Sequence, residues 1–272
     1  MPRNSQPAAC MSGLLMQAIG AQFKETGFTM NALGNAGFLK LWENGVRLHP
    51  LDRGLLAIQT LLPRQGKERI ADWSLGRRNQ ALAQLHQECF GPHLQGWMKC
   101  IQCGEKLEFA LDSRTLVERQ RDAATAPVIF KGRAFRVPTS SDLALIANES
   151  DPEVAALRLV GLCRMEDADS PARNNASSVG EWTPEDIEQL AAKMSEADPL
   201  AEVSLLFECP TCKSQSEESL DLAAFFWAEL EAFARRLLYE VHVLAASYGW
   251  SEGEILSLSD NRRSIYLQMV QA

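Results

Sequence analysis

Two cysteine pairs constrain this chain more than any other feature. Cys100-Ile101-Gln102-Cys103-Gly104 and Cys209-Pro210-Thr211-Cys212 each set two thiols with two residues between them. That spacing lets a tight turn aim both sulfurs at one tetrahedral ion at ~2.3 Å, while N–H groups of the turn hydrogen-bond the sulfurs. Each pair adjoins an extended segment. Leu107, Phe109 and Leu111 alternate with Glu108, Ala110 and Asp112 after the first pair, and Val203 to Phe207 precedes the second. Two knuckles on two β-hairpins, closing one four-cysteine site, make the outline of a zinc ribbon. Roughly 15–20 residues usually separate such pairs, whereas residues 104 to 208 intervene here. A shared site therefore requires the intervening chain to be an insertion whose ends return to one place. Three alternatives stay open: half-sites shared between subunits, a redox dithiol, or pairs with no common role. A redox pair calls for a thioredoxin-like setting with its first cysteine at a helix N-terminus, and neither pair has that.

Cys100, Cys103, Cys209 and Cys212 are the candidate metal ligands. Four thiolates fill the shell of one Zn²⁺ and leave no position for water, so the expected ion is structural rather than catalytic. Seven cysteines is an odd number, which fits poorly with a paired secreted framework. Cys89 and Cys163 lie in apolar helical runs and read as small buried hydrophobes; Cys10 is a bystander. His86 reads as the polar edge of a helix and His93 as a loop residue, so neither adds a ligand. No stretch approaches the ~18 apolar residues of a membrane span. The N-terminal apolar run is broken by Ser12, Gly13 and Gln17, which makes it a poor export signal. A reducing bacterial cytoplasm is the expected compartment.

The surrounding pattern is mostly helical, and the expected class is α+β, mostly α. Helical bundle elements surround the pair of hairpins, and a long C-terminal helix is followed by two short ones. Residues 1–33 read as a loosely ordered extension. Residues 34–99 form a helical region, with helices around Phe38 to Gly45 and Leu51 to Leu62 and a third capped by Ser74 and ended by Gly91-Pro92. Residues 100–218 hold the hairpins with a helical insertion. Within it, Val128 to Val137 reads as one extended stretch. Thr139 with Asp142, Asp151-Pro152 and Thr183-Pro184 open helices, and 165–181 reads as a loop. Residues 219–272 are the C-terminal helical region. Phe226, Leu230, Phe233, Leu237, Val241, Leu244 and Tyr248 recur at helical steps before Gly249, and Ser251 with Glu254 caps the next helix.

No phosphate-binding glycine loop, nucleophile elbow or H-E-x-x-H motif is present, and four histidines far apart offer little for general-base chemistry, so no enzyme is expected. With 27 Lys+Arg against 35 Asp+Glu, net −8, bulk positive charge cannot drive binding. One local alternative is a nucleic-acid surface of Lys131, Arg133 and Arg136 interleaved with Phe130 and Phe135. The commoner explanation is an edge strand with charged outward positions, and net charge favours it. At the C-terminus Tyr248, Trp250, Tyr266 and Leu267 are candidate partner anchors, or pack on the chain's own long helix. Arg262-Arg263 beside Asp260 reads as a helix-start ion pair or a partner contact.

Several segments carry a family resemblance. They are Gly76-Arg77-Arg78 through Phe90-Gly91-Pro92, Cys100 to Asp112, and Phe135 to Leu143. The last runs from Cys209 to the C-terminus, with Leu238-Tyr239-Glu240-Val241-His242-Val243-Leu244-Ala245, Tyr248-Gly249-Trp250-Ser251-Glu252 and Arg262-Arg263 before Tyr266-Leu267. Together they cover most of residues 36 to 271. In them the chain resembles the baseplate hub assembly proteins, or chaperones, of T-even-type contractile phage tails and extracellular contractile injection systems. The resemblance implies a non-enzymatic role in building or bracing a baseplate, contacts with baseplate or hub proteins, and a ribbon held by the four cysteines. It leaves open whether the protein departs after assembly or stays in the particle. Lys213 stands where a second knuckle usually has glycine, a departure that weakens the ribbon geometry.

Overall fold

The longest apolar-periodic stretch of the sequence becomes the strut on which the N-terminal helices and the two C-terminal helices pack. A computed structural model describes residues 17–18, 34–61, 69–121, 126–165 and 182–271. It is mostly helical with small antiparallel hairpins, as the patterning predicts. The first two-residue strand, β1 (Gln17–Ala18), pairs with β2 (His93–Lys99); the rest of the expected N-terminal extension and nearly all of the 165–181 loop lie outside the described residues.

Helices α1 (Gly34–Gly45), α2 (Pro50–Leu61) and α3 (Leu75–Phe90) surround the N-terminal half of the long helix α8 (Leu222–Tyr248). Asp221 caps α8, its carboxylate accepting from the N–H of Ala223 and Ala224, and Gly249 ends it in the left-handed conformation. Phe225, Phe226, Trp227, Leu230, Phe233 and Leu237 are all buried, and Phe226 meets Phe90 edge-on while Phe233 meets Phe38. Packing here is close enough to need glycine: a Cβ on Gly45 would collide with the Trp227 ring. His86, expected at a polar edge, is instead 1% exposed between Phe90 and Phe225. Its Nε2 lies 2.8 Å from Glu229 on α8, and that partner makes the burial tolerable.

Strand β2 pairs with β3 (Lys106–Asp112) in a seven-residue register from His93↔Asp112 to Lys99↔Lys106, and β6 (Ser204–Glu208) pairs with β7 (Gln215–Ser219). Sequence patterning exposes only one strand of each hairpin, and both omissions have a cause. In β2 the inward position Gly96 carries no side chain because Phe109 occupies the space, 2.6 Å from where its Cβ would be, which breaks the apolar alternation. Strand β7 reads Gln-Ser-Glu-Glu-Ser and has no apolar residue at all; pairing with β6 alone makes it a strand. The first ribbon hairpin thus begins at His93, inside the region expected to be helical.

Between the hairpins, α4 (Ser113–Arg121) follows β3 directly. The single extended stretch expected at Val128 to Val137 is instead a tight hairpin, β4 (Val128–Phe130) and β5 (Arg133–Phe135). Lys131 (φ 46°) and Gly132 (φ 73°) supply the two positive-φ residues of a primed turn. Helices α5 (Ser140–Ile146), α6 (Pro152–Cys163) and α7 (Pro184–Ala197) start at the capping residues read from sequence, with reciprocal capping boxes at Thr139/Asp142 and Thr183/Asp186. Val128, Phe130, Phe135, Val160 and Leu190 form a second, smaller core edged by Trp182. The insertion is stitched to α3 by polar bonds. Leu75 N–H donates to Pro138 O (3.1 Å), Gly76 N–H to Asp198 (2.8 Å) and the Asn79 amide to Leu200 O (2.7 Å). Two short helices, α9 (Glu252–Ser257) and α10 (Asp260–Gln271), close the chain, the first through the Ser251/Glu254 capping box. Among the described residues, no helix is long and apolar enough to cross a membrane.

Candidate metal centre

Each cysteine pair occupies the tip of a hairpin, and the two tips have the same hydrogen-bond pattern. In the first, Cys100 N–H donates to Glu105 O (2.7 Å) and Gly104 N–H to Cys100 O (2.8 Å). In the second, Cys209 N–H donates to Ser214 O and Lys213 N–H to Cys209 O, both at 2.9 Å. Equivalence extends to backbone conformation: Gly104 has φ 76° and Lys213 φ 60°. Lysine therefore does not spoil the second knuckle; it adopts the left-handed conformation, at about 1 kcal/mol for its Cβ.

The two tips face each other. The four sulfurs all lie within 4.8 Å of one another. Cys100 Sγ is 3.6 Å from Cys212 Sγ, and Cys103 Sγ is 3.5 Å from Cys209 Sγ. These separations exceed a disulfide and match the edge of a sulfur tetrahedron around a ~2.3 Å metal–thiolate bond, about 3.8 Å. The insertion's ends thus return to one place within a single chain, and a metal ion fits the donor set. Cys209 is fully buried and Cys100 nearly so, among Met98, Leu107 and Phe207, whereas Cys103 and Cys212 are exposed. The site is dry on one side and open to solvent on the other.

Ser214 is a member of this site that pattern reading does not single out. Its hydroxyl oxygen lies 3.1 Å from Cys212 Sγ and 3.3 Å from Cys100 Sγ, bridging the knuckles. That hydroxyl, followed by the N–H of Cys103, holds the Cys100 thiol down to about 6, and it lowers Cys212 as well. For Cys103 the N–H of Glu105 acts downward, but desolvation and the crowded thiols of Cys209, Cys212 and Cys100 outweigh it and push it up to about 12. Four sulfurs this close cannot all ionise without a cation among them. Across the exposed side the Thr211 hydroxyl donates to Glu105 (3.1 Å).

The remaining candidates separate cleanly. Cys89 and Cys163 are buried away from the cluster, and burial pushes their thiols up to about 12 and about 11. His93 opens β2 opposite Asp112, at the hairpin end remote from the knuckle. Lys131 pairs with Asp186 (2.7 Å), Arg133 lies over the Trp182 ring, and Arg136 grips Asp142 through both guanidinium nitrogens (2.6 and 2.7 Å). Phe130 and Phe135, which the nucleic-acid alternative needs open to bases, are 7% and 0% exposed, with Trp182 against both.

At the C-terminal end, Tyr248 stacks on Trp250 (4.7 Å between centroids) and Tyr266 meets both edge-on. Trp250 and Tyr266 line, with Glu254, Ser257, Leu258 and exposed Arg262, a shallow groove of about 220 Å³. Arg263 leaves the set of partner contacts. It is 1% exposed, bonded to Glu240 (2.8 Å), Asp260 (2.6 Å) and Leu258 O (2.7 Å), and so holds α10 to α8. Comparison of the chain with protein-family models, with curated proteins and with solved structures finds no match.

Proposed function

We propose that this chain is a non-enzymatic, protein-binding component of a contractile injection machine or phage tail, an assembly chaperone or a brace of its baseplate, stabilised by one structural zinc. The observation that carries the metal is the convergence of Cys100, Cys103, Cys209 and Cys212 from knuckles so far apart in sequence. Four sulfurs, with no fifth donor among the described residues, suit Zn²⁺ and leave no position for a reacting water. The zinc then acts as a clasp across both ends of the insertion. The baseplate assignment rests on the resemblance of residues 36 to 271, above all the string from Leu238 to Leu267. Tyr248, Trp250, Tyr266 and Arg262 offer the aromatic and guanidinium groups that anchor protein interfaces.

The nucleic-acid reading loses its support, because both rings it needs for stacking are buried and its cations already pair or stack with neighbours in the chain. Elemental analysis of protein purified without chelator tests the clasp: one zinc per chain is expected, and metal-free folded protein would refute it. Affinity capture from the native host tests the role. Sheath, tube or baseplate proteins are expected in the eluate, with their genes close to this one; capture of nucleic acid in their place would overturn it.

A further inference from the structure

The outward face of the β6–β7 hairpin differs from the rest of the surface. Leu205, Phe207, Ser216 and Glu218 are half-buried toward the protein; Ser204, Leu206 and Glu208 with Gln215, Glu217 and Ser219 point away from it. Register sets Leu206 opposite Glu217 and Glu208 opposite Gln215. Leu206 is 84% exposed, more than any other large apolar side chain among the described residues. It borders a groove of about 460 Å³ formed with Phe207, Glu208, Gln215, Ser216 and Glu217. The chain from 199 to 220 carries Glu202, Glu208, Glu217 and Glu218 against one cation, Lys213. Neither Glu208 nor Glu217 has an ion-pair partner among the described residues.

The backbone of this hairpin has a free edge. Bonds from Leu220 N–H to Val203 O and from Cys209 N–H to Ser214 O bracket it. Antiparallel alternation then places the bonded pairs at Leu205/Glu218 and Phe207/Ser216. The N–H and C=O groups of Ser204, Leu206 and Glu208 are left facing outward, and β6 has no strand neighbour except β7 among the described residues. An open edge, an exposed leucine and two unneutralised carboxylates therefore coincide.

We infer that β6 is a docking strand for an extended, basic segment of a partner protein. The segment adds beside β6 by main-chain hydrogen bonds, sets an apolar side chain against Leu206, and places Lys or Arg by Glu208 and Glu217. Backbone bonds give such strand addition its affinity, and alternate side chains give it specificity. A second copy of this chain is a poor occupant. Antiparallel pairing about Leu206 would bring two copies of Glu208 and Glu217 onto one face with no cation among them. The inference deepens the partner-binding role proposed above and rests on its clasp, because Cys209 and Cys212 hold the tip of this hairpin.

Fluorescence anisotropy with a labelled synthetic peptide in which lysine and valine alternate along one face, with threonine between them (Lys-Thr-Val-Thr-Lys-Thr-Val), tests it, with the same peptide carrying glutamate for lysine as counterpart and zinc measured in each sample. Zinc-replete protein is expected to bind the lysine peptide and not the glutamate one. Glu208→Lys with Glu217→Lys should weaken binding about tenfold, and Leu206→Ser several-fold, while Glu188→Lys with Glu196→Lys on α7 leaves it unchanged. No binding by zinc-replete protein, or equal loss in the α7 pair, would overturn the docking strand. So would self-association of the wild type that Leu206→Ser abolishes, since a second copy would then occupy the edge. Metal-free protein that binds the peptide with this pattern would refute the clasp and leave the docking strand standing.

Discussion

Around α8 the buried residues form one continuous apolar cluster reaching from Phe38 to Leu237, whereas the ribbon tip buries little beyond Met98, Leu107 and two cysteines. The bundle needs no further device: a fully buried Leu or Phe contributes about 1.5–3 kcal/mol, and the cluster holds many of them. The tip has two six-residue knuckles to order (100–105 and 209–214). At about 1–2 kcal/mol per residue that costs about 12–24 kcal/mol, against about 3–6 kcal/mol from Met98 and Leu107. A metal contribution of about 10–16 kcal/mol is of the size required. Yet the two regions are joined, since Leu94 of the first hairpin and Val203 at the foot of the second belong to the bundle core, and Phe109, Leu111 and Leu205 pack against it. One end of each hairpin is held by burial and the other by sulfur.

Removing the metal is the strongest way to break that contrast. Chelation, or Cys209→Ser, should abolish amide protection at both knuckles and lower the melting temperature of the whole chain. Unchanged melting would mean the bundle does not feel the clasp. Next in size, Leu230→Ala should cost about 3–4 kcal/mol in denaturant unfolding while leaving zinc content at the wild-type value. Zinc lost in step with stability would show a single cooperative unit.

The insertion offers a third probe. Arg136→Ala leaves Asp142, which is 3% exposed, with its Thr139 bonds alone, and because the Arg136 side chain is 40% exposed the loss should be about 2 kcal/mol. Burial alone would raise the Asp142 carboxyl, but Arg136 and Thr139 outweigh it and the net shift is downward. Its folded value thus lies below the unfolded ~3.9. The stabilisation is present above that pH and is lost as pH falls through the folded value, so acid titrations of wild type and variant should begin to converge near pH 4 and meet only below the folded value. The smallest effect belongs to Lys213→Gly. Releasing the left-handed lysine should add about 0.5–1 kcal/mol to the ribbon without altering the bundle.

Much of the local structure was legible because its causes are local. Ser74, Thr139, Asp151, Thr183, Ser251 and Gly249 bound helices through groups within a few residues of themselves. The four-cysteine set was readable in the same way, because a C-x-x-C turn carries its own geometry. The fates of β7 and His86 were not legible, and of Arg263 only its pair with Asp260 at the start of α10 was. A polar strand, a buried imidazole and a buried guanidinium each depend on a partner supplied from elsewhere: β6, Glu229 and Glu240.

The amino-acid sequence by itself determined the caps, the helical periods, the two knuckles and the identity of the sulfur donors, since each follows from side chains a turn apart. Only the tertiary structure decided that the knuckles meet, that Lys131, Arg133 and Arg136 are spent inside the insertion, and that Arg263 is a strut while Leu206 lies bare. Those outcomes turn on which surfaces are covered once the described part of the insertion folds back on α3. Burial and ion pairing between distant segments are properties of that closure, and no short window of sequence contains them.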